Sequence, residues 1–126
     1  MREKLEKMLK SSYAKYSNYR VAAICKMRDE VEIRGVNVEN ASYGATICAE
    51  RNAITTAITC GYTKGDFKEL HVMVSSDKIG TPCFICRQVI CEFFESDAKI
   101  YVYSKNEMRE YTVKELCPEP FNEDNL

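Results

Sequence analysis

Three cysteines and one glutamate have the types and the spacing that metal-assisted hydrolysis requires. Cys48 stands alone, whereas Cys83 and Cys86 form a Cys-x-x-Cys pair directly after a proline. Three thiolates can bind one zinc ion and leave its fourth position open. Glu50 follows the first cysteine by two residues, and a carboxylate beside zinc can shuttle the proton of a water whose pKa the metal lowers to about 7. The pattern therefore predicts a hydrolytic zinc site.

Two other kinds of site could use the same cysteines. A closed structural zinc site needs a fourth ligand, and neither Cys91 nor His71, the only histidine, has a spacing that completes the set. A redox Cys-x-x-Cys pair would leave Cys48 and Glu50 without a role. We therefore favour the catalytic site and expect His71 to be a strand residue with a satisfied ring.

The ligand set also predicts partners for its charge. Three thiolates on Zn²⁺ leave a net negative charge, which weakens the metal as a Lewis acid. Arg51 could offset this charge by donating hydrogen bonds to ligand sulfurs, with Arg87 and Gln88 as further candidates. The cysteines are expected at the first turns of two helices, where unpaired N–H groups lower thiol pKa values.

Hydrophobic periodicity predicts the elements that must hold these residues. Helices are predicted over residues 2–15, 46–61 and 83–95, and strands over residues 20–28, 31–38, 71–75, 99–104 and about 110–113. The first two strands form a hairpin around Asp29 and Glu30. The tail from Glu119 is expected to be irregular.

The order of these elements predicts the fold class. Strands that alternate with helices in the middle of the chain imply a parallel βαβ unit with helices on both faces of the sheet. The last two strands should pair antiparallel, because a parallel crossover needs a dozen or more residues and only about five join them. We expect one α/β domain over residues 1–126, in three α/β/α layers around a mixed five-stranded sheet.

Composition restricts the partners. A length of 126 residues suits one domain with a real core. The net charge of -1 and the pI near 5.9 provide no electrostatic reason to expect nucleic-acid binding. The N-terminus is charged and no apolar run is long enough for a signal or a membrane span, so the expected location is cytoplasmic, without membrane contact.

Seven cysteines is an odd number. In a reducing compartment they are better interpreted as ligands and small buried side chains than as a disulfide framework. We expect Cys25, Cys60, Cys91 and Cys117 to be apolar packing residues.

Four ordered motifs cover nearly the whole chain. They are Tyr16-Ser17-Asn18-Tyr19-Arg20-Val21-Ala22-Ala23, Asn37-Val38-Glu39-Asn40-Ala41-Ser42-Tyr43-Gly44 with Cys48-Ala49-Glu50-Arg51, Pro82-Cys83-Phe84-Ile85-Cys86-Arg87-Gln88-Val89, and Leu116-Cys117-Pro118-Glu119-Pro120-Phe121. Together they resemble the small homotetrameric, zinc-dependent cytidine deaminases of pyrimidine salvage. Zinc nucleobase deaminases use a ligand set of this kind with a glutamate that does not bind the metal.

The resemblance implies a reaction and a set of roles. Cytidine or 2'-deoxycytidine and water would yield the uridine and ammonia, with one zinc per subunit activating the water and Glu50 protonating N3 and then the leaving amine. The resemblance assigns substrate contacts to Tyr19 (base), Asn37 and Glu39 (ribose 3'-hydroxyl), the Ala49 N–H (pyrimidine O2) and the Thr81 carbonyl (exocyclic amine). Subunits of the family's tetramers share active sites, so Ala41, Tyr43 and Phe121 are expected to reach a neighbour's substrate.

The sequence departs from the family pattern at three places. Phe84-Ile85 stands where the family usually has small residues, Tyr19 where it usually has Phe, and Ala22 where Gly is common. The bulky Phe84-Ile85 bears on the shape of the pocket or of a subunit contact, and therefore on the range of substrates. Two alternatives to cytidine deamination stay open: deamination of another small cytosine nucleoside, such as a blasticidin-type antibiotic, and a non-catalytic zinc-stabilised RNA-binding protein.

Overall fold

A mixed five-stranded sheet forms the centre of the structure, a computed structural model that describes residues 1–126. The strands are β1 (Val21–Met27), β2 (Glu32–Val36), β3 (Phe67–Val74), β4 (Phe94–Tyr103) and β5 (Met108–Thr112). Their order is β2-β1-β3-β4-β5. β1 pairs antiparallel with β2 and β3, β3 pairs parallel with β4, and β4 pairs antiparallel with β5. The predicted mixed sheet, first hairpin and antiparallel final pair are confirmed.

Helices cover both faces of this sheet. They are α1 (Arg2–Leu9), α2 (Ala49–Thr59), α3 (Phe84–Phe93) and α4 (Val113–Leu116). α1 packs on β1 and β3, whereas α2 packs on β1 and β2 and α3 and α4 pack on β4 from the opposite face. This confirms the three-layer arrangement. None of the helices combines the length and the apolar character that crossing a membrane requires.

The side chains of β1 alternate between two cores because successive strand residues point to opposite faces. Ala22 and Ile24 join a cluster of 6 buried residues under α1. Ala23, Cys25 and Met27 join a cluster of 17 buried residues under α2, α3 and α4. The larger core therefore lies beneath the two helices that carry the candidate metal ligands.

The four remaining cysteines differ in their surroundings. Cys25 is 0% exposed, as expected for a packing residue. Cys91 and Cys117 are partly buried against the larger core. The expectation is wrong for Cys60, which is exposed because it caps the C-terminus of α2.

α1 is shorter than the predicted helix over residues 2–15. It ends at Leu9, because the following segment pairs with the chain beyond β2. The N–H of Tyr13 donates to the Asn37 carbonyl at 3.0 Å, and the N–H of Glu39 donates to the Tyr13 carbonyl at 2.8 Å. These hydrogen bonds to a distant segment replace the last helical turns.

α2 begins three residues later than predicted. Ile47 is extended and exchanges two backbone hydrogen bonds with Val38, at 2.9 and 3.0 Å. The helix ends as predicted near Gly61, whose φ of +101° places it in the left-handed region that stops a helix.

Other boundaries also differ from prediction. β3 and β4 begin earlier, because Phe67 and Phe94 extend their parallel pairing. The last strand ends at Thr112, which forms a capping box with Glu115 and so starts α4. The tail, predicted to be irregular, contains a short 3-10 helix at Glu123–Asn125.

Gly35 allows α2 to lie directly on β2. A Cβ atom at this position would lie 2.6 Å from the Ala49 carbonyl oxygen and 3.0 Å from the Ala53 Cα, distances that real Cβ atoms avoid. Asn52 holds the same contact by donating from Nδ2 to the Val36 carbonyl at 2.7 Å. The close approach fixes the first turn of α2 relative to the sheet.

Replacing Gly35 with Ala is expected to destabilise the protein by about 1–3 kcal/mol, because the methyl group must push α2 away from β2. Gly44→Ala is the matched control, since a Cβ there meets no atom within 4 Å, and it should change the free energy of unfolding by no more than about 0.5 kcal/mol. Thermal and urea unfolding of the two variants measure the difference. Equal stability of both would contradict the close contact.

Candidate metal centre and adjoining pocket

Three cysteine sulfurs meet where α2 and α3 begin. Cys48 is the N-cap residue of α2 and Cys83 that of α3, while Cys86 lies in the first turn of α3 and is buried. The three Sγ atoms lie within 4.8 Å of one another. The sulfur of Cys83 also accepts the N–H of Cys86 at 3.5 Å. The structure thus brings the three predicted ligands into one cluster.

The spacing of the sulfurs fits a tetrahedral metal. Two sulfurs that each lie about 2.3 Å from zinc at a tetrahedral angle are separated by about 3.8 Å. The Sγ atoms of Cys48 and Cys83 are 3.8 Å apart, far beyond the roughly 2.05 Å of a disulfide bond. The donor set and this sulfur–sulfur distance therefore suit zinc.

Neither candidate for a fourth ligand reaches the cluster. His71 lies on the α1 face of the sheet, where its ring nitrogens contact the Tyr103 hydroxyl and a Glu69 carboxylate oxygen, both at 2.9 Å. The thiol of Cys91 donates to the Gln88 carbonyl at 3.2 Å. The three-sulfur set leaves a fourth position for water or substrate.

The electrostatics of the cluster favour thiolates. The pKa of Cys48 is lowered to about 5, chiefly by the hydrogen bond from Cys86 and further by those from Arg51 and Cys83. Nη2 of Arg51 lies 3.4 Å from the Cys48 sulfur, while its buried Nε has no partner. The Cys86 thiol donates its proton to Cys48, and this hydrogen bond raises the pKa of Cys86. A bound divalent cation would displace the Cys86 proton, because metal ligands bind as thiolates.

Glu50 occupies a position suited to proton transfer. It lies in the first turn of α2 and is only 4% exposed. Burial raises the pKa of its carboxyl to about 7, and the negative charge of Cys48 adds to the shift. A carboxyl with a pKa in this range can both accept and donate a proton at neutral pH.

A cavity of about 190 Å³ opens beside the cluster. It lies at the carboxyl-terminal ends of β2 and β3, the location where open α/β sheets bind ligands. The lining includes most of the predicted substrate and metal residues. They are Tyr19, Asn37, Glu39, Cys48, Glu50, Thr81 and Cys83, joined by six residues without a predicted role: Ser17, Val21, Thr46, Val72, Val74 and Gly80.

Asn37 is more buried than a solvated strand end would be, with 7% exposure. Its Oδ1 accepts from the Val21 N–H at 2.8 Å and from the Ser12 hydroxyl, and its Nδ2 donates to the Tyr19 carbonyl at 2.8 Å. A carboxamide nitrogen has two donors, so one remains for a ligand. Asn37 therefore organises the pocket wall as well as facing it.

Glu39 is held as a carboxylate at the pocket's polar end. Its oxygens accept from the Ser17 hydroxyl and from the backbone N–H groups of Ser17 and Tyr16, at 3.0 and 2.9 Å. These hydrogen bonds, led by that from the Ser17 hydroxyl, lower the pKa of Glu39. Ser17 is a site residue that sequence reasoning missed, although it lies within the motif of residues 16–23.

Other predicted residues lie elsewhere. Ala49 is buried at the first position of α2, where helical N–H groups have no intrahelical partner. Ala41, Tyr43 and Phe121 do not line the cavity. Tyr43 is 77% exposed and Phe121 is 56% exposed, so both are available at the surface.

Arg87 and Gln88 differ from expectation. Arg87 donates to the Pro82 and Leu116 carbonyls and to the Thr81 hydroxyl, at 2.7, 2.9 and 2.8 Å. Gln88 donates to the Phe121 carbonyl at 3.0 Å. Both side chains fix backbone around α3 and the tail, whereas Arg51 is the one that contacts a ligand sulfur.

Comparisons with known proteins agree with this geometry. The family described as "Cytidine and deoxycytidylate deaminase zinc-binding region" matches residues 1–104. The chain is 38% identical to a cytidine deaminase of Halalkalibacterium halodurans over 91% of this chain and 86% of the relative. It is 34% identical to one of Sporosarcina psychrophila, with 96% and 88% covered. The crystal structure of a cytidine deaminase from Burkholderia pseudomallei superposes with a TM-score of 0.90 at 33% identity, covering 94% of each chain.

Replacing Cys86 with Ser is expected to reduce bound zinc from about one ion per chain to near zero, because two thiolates do not hold the metal as three do. Cys91→Ser is the matched control, since that thiol on the same helix lies outside the cluster. Metal content is measured by mass spectrometry after dialysis, with circular dichroism to verify folding. Full zinc in a folded Cys86→Ser protein would contradict the ligand assignment.

Proposed function

Because the chain belongs to the cytidine and deoxycytidylate deaminase zinc-binding family, we propose that it catalyses the hydrolytic deamination of cytidine and 2'-deoxycytidine to uridine and 2'-deoxyuridine in pyrimidine salvage. One observation carries the proposal. The buried carboxyl of Glu50, with its pKa near 7, faces the same cavity as a three-sulfur cluster that fits zinc.

Zinc bound by Cys48, Cys83 and Cys86 supplies Lewis acidity that makes a water nucleophilic near neutral pH. Arg51 offsets the excess negative charge of three thiolates through its hydrogen bond to Cys48. The partial positive charge at the N-termini of α2 and α3 also offsets the negative charge of the thiolates.

Glu50 moves the protons of the reaction. It accepts one proton from the attacking water and delivers it to N3 of the pyrimidine while the C4–O bond forms. It then carries the second proton of that water to the exocyclic amine, so that the C4–N bond breaks and ammonia leaves. Burial keeps its pKa close to the working pH, which suits both directions of transfer.

The opposite end of the cavity suits a free ribose. The remaining N–H of Asn37 and the fixed carboxylate of Glu39 form a donor and acceptor pair for a sugar hydroxyl. A carboxylate held in its charged form would repel a phosphate in the same place. This favours a nucleoside over a nucleotide or a polynucleotide, and weighs against the RNA-binding alternative.

The base lies between these two ends. Its O2 accepts from the Ala49 N–H, and its exocyclic amine donates to the Thr81 carbonyl. Tyr19, whose ring lines the cavity, packs against the base. The free ribose site also favours cytidine over an antibiotic with a modified sugar.

We infer that four copies assemble and share their active sites, within a single domain that spans residues 1–126. Large apolar side chains are exposed around the metal cluster and the cavity mouth. Phe84 is 78% exposed, Ile85 63%, Tyr43 77% and Phe121 56%, and exposed apolar groups that cluster mark an interaction surface. Contact with a neighbouring copy would cover them and bring Ala41, Tyr43 and Phe121 to that copy's substrate.

Replacing Glu50 with Gln is expected to lower kcat by at least about 100-fold while zinc stays bound, because the amide keeps the shape but cannot transfer the proton. Ammonia release and ultraviolet detection of uridine are measured with cytidine, deoxycytidine, cytosine and CMP. The exposed Glu95→Gln serves as the control and should retain activity. An active Glu50→Gln enzyme would contradict the assigned role.

Shared active sites lead to a complementation test. Glu50→Gln and Phe121→Ala chains are expected to be impaired alone, and a reassembled equal mixture should regain about one quarter of its sites, those that take each intact residue from a different chain. Light scattering should give four times the 14.5 kDa chain mass. A monomeric mass, or no recovery on mixing, would contradict the shared site.

A further inference from the structure

The Tyr19 side chain contacts the loop that leads into α3, and both line the cavity. Its hydroxyl oxygen lies directly over Gly80, where an added Cβ would overlap it while lying 3.8 Å from the ring carbon Cζ and 3.3 Å from Val74 Cγ1. The space at residue 80 is thus filled by the hydroxyl of residue 19. The two residues form a matched pair in which the glycine makes room for the hydroxyl.

The backbone of Tyr19 is held at two points, so its side chain starts from a fixed base. Its N–H donates to the Ser17 hydroxyl at 3.0 Å, and its carbonyl accepts from Asn37 Nδ2 at 2.8 Å. Ser17 is in turn held by Glu39. The hydroxyl is therefore carried on a wall that is organised before any ligand arrives.

The remaining edge of the base identifies what this wall faces, a step that rests on the proposed function. Glu50, the Ala49 N–H and the Thr81 carbonyl take the polar groups at N3, O2 and C4. The C5–C6 edge carries only C–H groups, and it is left with the apolar part of the lining. That part includes Val74, Gly80 and the ring of Tyr19.

We propose that the Tyr19 hydroxyl, seated on Gly80, is a specificity-determining group that closes the C5 side of the base pocket. The pocket then admits an unsubstituted pyrimidine and excludes one with a substituent at C5. Removing the hydroxyl opens a space of about one methyl group there. Adding a Cβ at residue 80 fills the same space from the other side.

The test compares binding of uridine and 5-methyluridine, the products of deamination, to zinc-loaded protein by calorimetry. Tyr19→Phe is expected to improve the affinity for 5-methyluridine relative to uridine by about tenfold, the usual range for one methyl group in an apolar pocket. Gly80→Ala should weaken binding of both nucleosides in the Tyr19 background, because its methyl displaces the hydroxyl. In the Tyr19→Phe background, Gly80→Ala should not weaken the binding of uridine. It should return the ratio of the two affinities toward that of the wild type.

Two results would overturn the proposal: an unchanged ratio in Tyr19→Phe, or an equal effect of Gly80→Ala in both backgrounds. Ammonia release from cytidine by the wild type is measured in parallel and reports on the proposed function alone. Altered affinity ratios without ammonia release would reject deamination but keep the pocket assignment. Ammonia release with unaltered affinity ratios would support deamination and reject the pocket assignment. Failure of the wild type and of Tyr19→Phe to bind either nucleoside would also overturn the pocket assignment.

Discussion

Helices α2 and α3 begin at the same edge of the sheet, and the rest of the site depends on this convergence. Three thiol groups within 4.8 Å repel one another once they are ionised. The arrangement persists because each helix is fixed by its own core contacts, α2 on β2 at Gly35 and α3 over β4. Packing of both helices on the sheet thus offsets the repulsion between the thiolates. The helix N-termini and Arg51 make that repulsion smaller.

The ribose end of the cavity is organised by polar groups from distant parts of the chain. Asn37 joins Val21, Tyr19 and Ser12 through one side chain, and Glu39 holds the Ser17 loop. Each group therefore has a structural role as well as a chemical one. A change at either position would alter the wall of the pocket together with any contact to the ligand, so its effect on affinity would combine both.

The pattern of neighbouring residues was sufficient to predict the mixed sheet, the directions of its hairpin, βαβ and final strand pairs, and the three cysteines that form one cluster. It failed where hydrogen bonds to distant residues decide the outcome. Tyr13 and Ile47 leave helical patterns to pair with the chain beyond β2, and no local propensity reports that pairing.

For the same reason the hydrogen-bond partners of Arg87 and Gln88 were not predictable from the sequence. A side-chain donor beside a ligand motif can donate to nearby backbone carbonyls instead of a ligand sulfur, as both do here. The contact between Tyr19 and Gly80 joins two distant parts of the chain whose relative position only the fold defines.

The two faces of the sheet differ greatly in their cores, with 6 buried residues in the cluster under α1 and 17 in the cluster on the other face. Amide hydrogen exchange of α1 should therefore proceed by local detachment at a lower free energy than global unfolding. Such an opening would expose the α1 face of the sheet and leave α2, α3 and the sulfur cluster in place. The sulfur cluster therefore lies on the face of the sheet that has the larger core, away from the helix whose detachment costs least.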